Sequence, residues 1–189
     1  MEEIFVQIAA YRDPELLMTI RTAWERARFP NRIHFGVCLQ DTEVEYDKLN
    51  KGIKDIPNVS IHWVGWRETK GLCWARKIAH KLNSGQKYEI QVDSHMRFTK
   101  NWDSRAISML NSTNCDRPLL THYCPNWKNE SIKSRKKQYP MRLSPSRFGD
   151  PGNDMLYLAG CGDARTNPPT KHAFISCHFV FSDPRCPAL

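Results

Sequence analysis

A chain of 189 residues, 40% hydrophobic and 11% aromatic, is long enough for one domain with a full core and too apolar to be disordered. No run approaches the roughly 20 apolar residues that span a bilayer, which argues against a transmembrane helix. The formal charge of +8 asks for an anionic partner, whether a polyphosphate substrate, a membrane surface or nucleic acid, but no recognisable nucleic-acid-binding motif accompanies it.

The first predicted element is a buried strand over Ile4–Ala10. Asp13 follows as a cap, with Pro14 at a first helical position, and Leu16, Ile20, Ala23, Trp24 and Ala27 recur at helical spacing. Arg32–Leu39 reads as a second strand, Glu45–Ile53 as a short helix and Val59–Val64 as a third strand. Gly71 opens another helix, whose apolar face is Leu72, Ala75, Ile78, Ala79 and Leu82. Tyr88–Val92 is a fourth strand, Trp102, Ala106, Met109 and Leu110 mark the next helix, and Leu119–Tyr123 is a fifth strand. This alternation predicts an α/β fold. From Asn126 the pattern is lost. Lys128, Lys133, Arg135, Lys136 and Lys137 make a basic loop, and Pro140, Pro145, Pro151, Pro168 and Pro169 interrupt the rest until a late strand over Ala173–Phe181. There is no internal repeat or linker, so residues 1–189 form a single domain.

The seven cysteines are odd in number and contain no Cys-Xaa-Xaa-Cys pair, which fits neither a disulfide framework nor a zinc ribbon. Reduced, buried thiols are expected. The acidic start Met1-Glu2-Glu3 lacks the basic beginning of a secretory signal. Both features point to a cytoplasmic setting.

Chemistry concentrates at the end of the fourth strand, in Gln91-Val-Asp-Ser-His-Met-Arg-Phe98. Residues two apart in an extended chain share a side, so Asp93 and His95 face one way and Ser94 the other. A carboxylate and an imidazole there make half of a metal site, at the strand end where α/β sheets bind ligands. Taken alone, Asp-Xaa-His is more readily an ordinary turn after a strand.

Ile4–Leu17, Ile33-His-Phe-Gly-Val-Cys38, Gly71-Leu-Cys-Trp-Ala-Arg76 and the Asp93 segment together resemble the N-acetylglucosaminyltransferases that modify hydroxyproline on a cytoplasmic ubiquitin-ligase subunit. The chain is more distantly similar to the mucin-type polypeptide GalNAc transferases. The resemblance covers about residues 4 to 182. It implies a GT-A (Rossmann-like) fold with a mixed, mostly parallel sheet, flanking helices and a C-terminally incomplete acceptor side. Residues 1–125 would then be the nucleotide-binding part and residues 126–189 the start of the acceptor-side part. The implied function is metal-dependent, retaining transfer of GlcNAc from UDP-GlcNAc to a hydroxyl of a protein or glycan. The alternatives are a non-catalytic nucleotide-sugar-binding remnant and a basic nucleic-acid-binding module.

The resemblance also assigns roles by position. Ala10, Tyr11 and Arg12 would hold the uridine, Gly71 and Arg76 would lie near the diphosphate, and Asp93 and His95 would bind the metal. Trp102-Asp103 would begin a helix that orders the sheet end. The chain departs from the family at His178, where relatives more often carry a small residue, and no third metal ligand is identified.

These roles are chemically sensible. An ion held by two side chains keeps room for phosphate oxygens, and the carboxylate with imidazole suits Mn²⁺ or Mg²⁺, tilted towards Mn²⁺. Arg12 and Arg76 can each bind two phosphate oxygens, although Arg76 is as readily a solvated helix face. Gly71 allows an anion close to a helix N-terminus, or is a plain turn glycine. Tyr11 can stack on uracil or sit as a rim aromatic. Trp63, Trp66 and Trp74 can wall a sugar pocket or pack in the core. His34, His62 and His80 read as structural. The run Lys133–Lys137 reads as a solvated loop, with a smaller chance of a lid over the diphosphate.

Overall fold

The computed structural model describes residues 2–125, 140–149, 152, 155–161 and 169–183. Six strands form one sheet in the order β3-β2-β1-β4-β8-β5. They are β1 (Ile4–Tyr11), β2 (Ile33–Asp41), β3 (Val59–Gly65), β4 (Tyr88–Asp93), β5 (Leu119–Thr121) and β8 (Phe179–Ser182). β1, β2, β3 and β4 run parallel, and β8 is antiparallel to both β4 and β5. The helices are α1 (Leu16–Glu25), α2 (Glu43–Gly52), α3 (Leu72–His80) and α4 (Trp102–Asn111). This is the mixed, mostly parallel α/β architecture expected from the sequence.

Side-chain alternation sorts the sheet into two faces. Val6, Ile8, Ala10, Phe35, Val37, Leu39, Ile90 and Val92 join the main core with Leu16 and Ile20 of α1, Leu49 of α2 and Leu110 of α4. The alternate residues face α3: Cys38 packs with Ala75 and Ala79, and the Gln7 amide donates to the Arg76 carbonyl at 2.7 Å. Gly36 is where α3 comes nearest. A Cβ there would stand 2.8 Å from the Ala79 carbonyl oxygen and 2.2 Å from the Phe5 ring. The backbone oxygen cannot swing away as a side chain would. Gly36→Ala is therefore expected to destabilise the fold by about 1–3 kcal/mol, the usual cost of overpacking, and urea unfolding measures it.

Several boundaries differ from the sequence reading. Pro14 and Glu15 form a turn ahead of α1, which begins at Leu16. The late strand is shorter than the apolar run Ala173–Phe181 and starts at Phe179. Before it, backbone groups bond side chains instead of a ladder: the Ser176 N–H donates to Thr121 Oγ1, and the Cys177 carbonyl accepts from Arg76 and Gln91. A two-stranded sheet, β6 (Arg142–Phe148) with β7 (Leu156–Cys161), forms where prolines predicted none. Pro145 is tolerated because the register shifts between it and Arg147, so the ladder bypasses its missing N–H. The basic run Lys128–Lys137, Pro151, Pro168 and Cys186 lie outside the described residues. The described free cysteines are Cys38, Cys73, Cys115, Cys124 and Cys177, and burial pushes the Cys38 thiol up to about 11.

Candidate active site

The strand order runs outward in one direction from β1 to β3 and in the other from β1 to β4. That reversal opens a crevice at the carboxyl ends of β1 and β4, where α/β folds bind ligands. Asp93, the last residue of β4, pairs across the sheet with Ala9 of β1. It lies on the α3 face. Its Oδ1 is 3.5 Å from the Arg76 guanidinium of α3, and its Oδ2 is 4.0 Å from His95 Nε2. The sequence-predicted residues Asp93, His95 and Arg76 thus meet at one carboxylate.

The turn after Asp93 is pinned to α1. Ser94 points to the α1 face and its hydroxyl donates to Asp13 Oδ2 at 2.5 Å. His95 Nδ1 lies 2.9 Å from the same oxygen. Asp13 Oδ1 accepts the Glu15 N–H at 2.9 Å. Asp13, predicted as the helix cap, instead bonds within the turn ahead of α1, whose cap position is Glu15, and clamps the Asp93 turn. Burial pushes the Asp13 carboxyl up, but bonds from Ser94, His95 and the Glu15 N–H outweigh it, and the net direction is down. A charged Asp13 fixes Nδ1 of His95 as the protonated nitrogen and leaves Nε2 free towards Asp93. The buried Thr19 hydroxyl adds a bond to the Ser94 carbonyl at 2.6 Å, and Arg97 pairs with Glu15.

His178, which sequence reasoning set aside, also arrives here. Its Nε2 lies 3.7 Å from Asp93 Oδ2 and its Nδ1 2.9 Å from the Ser176 hydroxyl. Antiparallel pairing explains it. Val92 pairs with Phe179, the first residue of β8, which brings the turn carrying His178 beside Asp93 at the end of β4. Among the described residues, no group of three or more His, Cys, Asp or Glu side chains is placed to hold a metal ion. Cys124 is nearby, but burial and then the Asp93 charge push its thiol up to about 12, so it is neither a thiolate ligand nor a nucleophile at neutral pH.

Ala10 and Tyr11 close β1, with Ala10 buried and Tyr11 exposed. Arg12 lies just beyond, at φ 48°, its N–H donating to the Gln40 carbonyl and its guanidinium 4.7 Å over the Trp66 ring. Arg67 covers the same ring at 4.0 Å. Gly71 caps α3 at φ 90°, in the left-handed region that favours glycine. The three tryptophans do not share a wall: Trp63 lies on the opposite sheet face, against Tyr46 of α2, Trp66 under the arginines, and Trp74 on α3 beside Cys38, Ala75 and Ala79. His80 pairs with Glu89 at 2.7 Å, a structural contact. Asp103 lies away from the crevice, against Arg32 at the amino end of β2.

A family model described as Glycosyltransferase (GlcNAc) matches residues 3–54 and 49–186. The chain belongs to this glycosyltransferase family. The GT-A-like fold agrees with solved structures of Staphylococcus aureus TarS 1-349. Against TarS in complex with UDP-GlcNAc the TM-score is 0.53 at 16% identity, covering 67% of this chain and 36% of that one. Against TarS 1-349 with no ligand named, it is 0.53 at 15% identity, covering 77% and 42%. Against the complex with UDP it is 0.50 at 16% identity, covering 67% and 37%. The chain thus spans less than half of the TarS chains, and likeness at this identity establishes the fold alone. No curated protein matches it. No described helix is long and apolar enough to cross a membrane.

Proposed function

We propose that this chain transfers GlcNAc from UDP-GlcNAc to a hydroxyl of a protein or glycan acceptor, with Mn²⁺ or Mg²⁺ as cofactor at Asp93 and His95. The observation that carries the reading is the Asp93 carboxylate at the β1–β4 crevice, facing an imidazole through one oxygen and a guanidinium through the other. The family match and the UDP-GlcNAc named for the TarS complex support the donor. The residues also fit a divalent ion: His95 presents Nε2 because Asp13 holds its Nδ1, the arrangement that orients metal-binding imidazoles.

When bound, the ion supplies Lewis-acid neutralisation of the charge that grows on the departing diphosphate. Arg76 adds a second positive charge beside Asp93, able to grip phosphate oxygens in pairs. Gly71, with no Cβ and nothing packed over that position, leaves the N-terminus of α3 open to an anion. Ala10, Tyr11 and Arg12 receive the uridine at the end of β1, with Arg12 held by Trp66. Residues 1–125 carry this donor side, and residues 126–189 begin the acceptor side. The resemblance to hydroxyproline-modifying enzymes points to a hydroxylated cytoplasmic protein as acceptor and to retention of anomeric configuration.

Calorimetric titration of UDP-GlcNAc tests the reading. Binding is expected with Mn²⁺ present and is expected to vanish with EDTA. Binding that persists unchanged in EDTA overturns the metal-dependent reading, and binding without transfer or hydrolysis favours a non-catalytic nucleotide-sugar module. Nucleic-acid affinity that collapses between low and moderate salt, with no donor binding, would identify a basic nucleic-acid module instead.

A further inference from the structure

We propose that the outer edge of β3 is a docking site for an extended, lysine- or arginine-bearing segment of another protein, which adds to the sheet as a further strand. The aromatic part of this site lies on the sheet face away from Asp93, so the inference does not depend on the donor reading above.

The two edges of the six-stranded sheet differ. β5 is only three residues long, Leu119–Thr121, and follows Pro118. Short length and proline are two of the devices that keep a sheet edge from recruiting other chains. β3 runs for seven residues, Val59–Gly65, in unbroken register with β2. It contains no lysine, no proline and no bulge. Among the described residues, no backbone group outside β2 bonds to it. Such an edge offers a row of N–H and C=O groups to any extended chain that its side chains admit.

The neighbouring side chains select a cationic one. Trp63 is 40% exposed and fixed in place: its indole N–H donates to the Asp41 carbonyl at 3.1 Å, and its ring meets Tyr46 of α2 at 5.9 Å. Val44, also on α2, is 62% exposed. An ordered Trp and Tyr at a surface are the residues that most often anchor an interface. Their surroundings are acidic. Residues 41–50 carry Asp41, Glu43, Glu45 and Asp47 against the single Lys48, in a chain whose net charge is +8. Glu45 pairs with Lys48, whereas Glu43 and Asp47 are exposed and have no ion pair among the described residues. Helical periodicity sets Glu43 on the same stripe as Tyr46, with Asp47 at its border. An acidic patch on a basic protein attracts the cations that the rest of the surface repels. A lysine or arginine laid along β3 sets its stem against the Trp63 ring while its head group reaches Glu43 or Asp47.

A second copy of this chain does not fit the same edge. Antiparallel pairing of two β3 strands about a two-fold axis sets the α2 helices side by side, acid against acid.

Hydrogen exchange on the whole chain tests the proposal, with a synthetic peptide of alternating lysine and threonine and its glutamate–threonine counterpart as probes. The lysine peptide is expected to slow amide exchange across β3, Val59–Gly65, and in no other strand. The glutamate peptide is expected to leave exchange unchanged. Anisotropy of the labelled lysine peptide gives the affinity, and Trp63→Ala is expected to weaken it at least about tenfold. Trp63 also supports α2, so a second variant, Glu43→Gln with Asp47→Asn, changes only exposed groups. It is expected to weaken binding severalfold and to flatten its salt dependence. Equal protection by both peptides, no protection by the lysine peptide, or wild-type affinity in the double variant overturns the proposal. Protection of β3 that rises with protein concentration in the absence of peptide also overturns it, and identifies a second copy as the occupant.

Discussion

Asp93→Ala is expected to abolish Mn²⁺-dependent binding of UDP-GlcNAc, a loss of at least about 100-fold if direct ligation exceeds the effect of an outer partner. The reason lies in how much converges on one side chain. Oδ1 faces Arg76, and Oδ2 faces both His95 and His178. Without the carboxylate, the remaining groups are a guanidinium, which repels a cation, and neutral imidazole, which brings no negative charge to hold it. Asp93→Asn preserves shape but removes the charge, so it is expected to lose binding nearly as completely. Stability should hardly change. The Asp93 side chain is 23% exposed and its ion pair with Arg76 is long, so unfolding is expected to shift by no more than about 1 kcal/mol. Calorimetry and urea unfolding on the same samples check both halves. Wild-type affinity in Asp93→Ala refutes the assignment. Lost binding with an equally large loss of stability makes the residue structural.

The fold was readable where burial alone decides structure. β1, β2 and β4 are apolar runs between turn signals because parallel central strands are covered on both faces. α2 was read two residues late, at Glu45, because its cap Thr42, whose hydroxyl accepts the Glu45 N–H, was not recognised. β6 and β7 could not be read, since their large apolar residues, Phe148, Leu156, Tyr157 and Leu158, stay exposed and Pro145 sits in a bulge. The late strand was overextended because an apolar run does not reveal where its backbone bonds go. Ser176 and Cys177 give theirs to Thr121, Gln91 and Arg76.

Half of the candidate site was legible for a local reason. Asp93 and His95 are two apart at a strand end, and Arg76 lies in the preceding helix. Asp13 was read as a cap; that its second oxygen holds Ser94 and His95 depends on α1 packing beside β4. His178 carried no local signal. Its place follows from the register of β8 on β4, a pairing that also joins Gln91 to Cys177, 86 residues apart.

Asp103→Ala is expected to destabilise the chain by about 3–5 kcal/mol, the usual result of removing one partner from a buried ion pair. Asp103 is fully buried, and its carboxylate accepts from the Arg28 and Phe29 N–H groups and from the Arg32 guanidinium at 2.8 Å. It therefore joins the start of α4 to the chain that leads from α1 into β2. Its neighbour Trp102 donates to the Ala23 carbonyl at 2.7 Å, a second tie at the same junction. Truncation leaves Arg32 charged, buried and unpaired, which water cannot repair. For a chain of this size the melting temperature should fall by on the order of 10 °C. The effect has a pH signature. Burial pushes the Asp103 carboxyl up, but the backbone N–H groups of Arg28, Ser104 and Phe29 and the Arg32 side chain outweigh it, so the folded value lies below the ordinary 3.8. A lowered folded pKa contributes stability above the unfolded value and loses it as pH falls through the folded one. The gap between wild type and Asp103→Ala should thus stay constant from neutral pH to about pH 5 and narrow only below about pH 4. Denaturant midpoints along that series decide it. A gap under about 1 kcal/mol at neutral pH, or one that widens in acid, would show that Arg32 finds other partners and that the junction does not depend on this carboxylate.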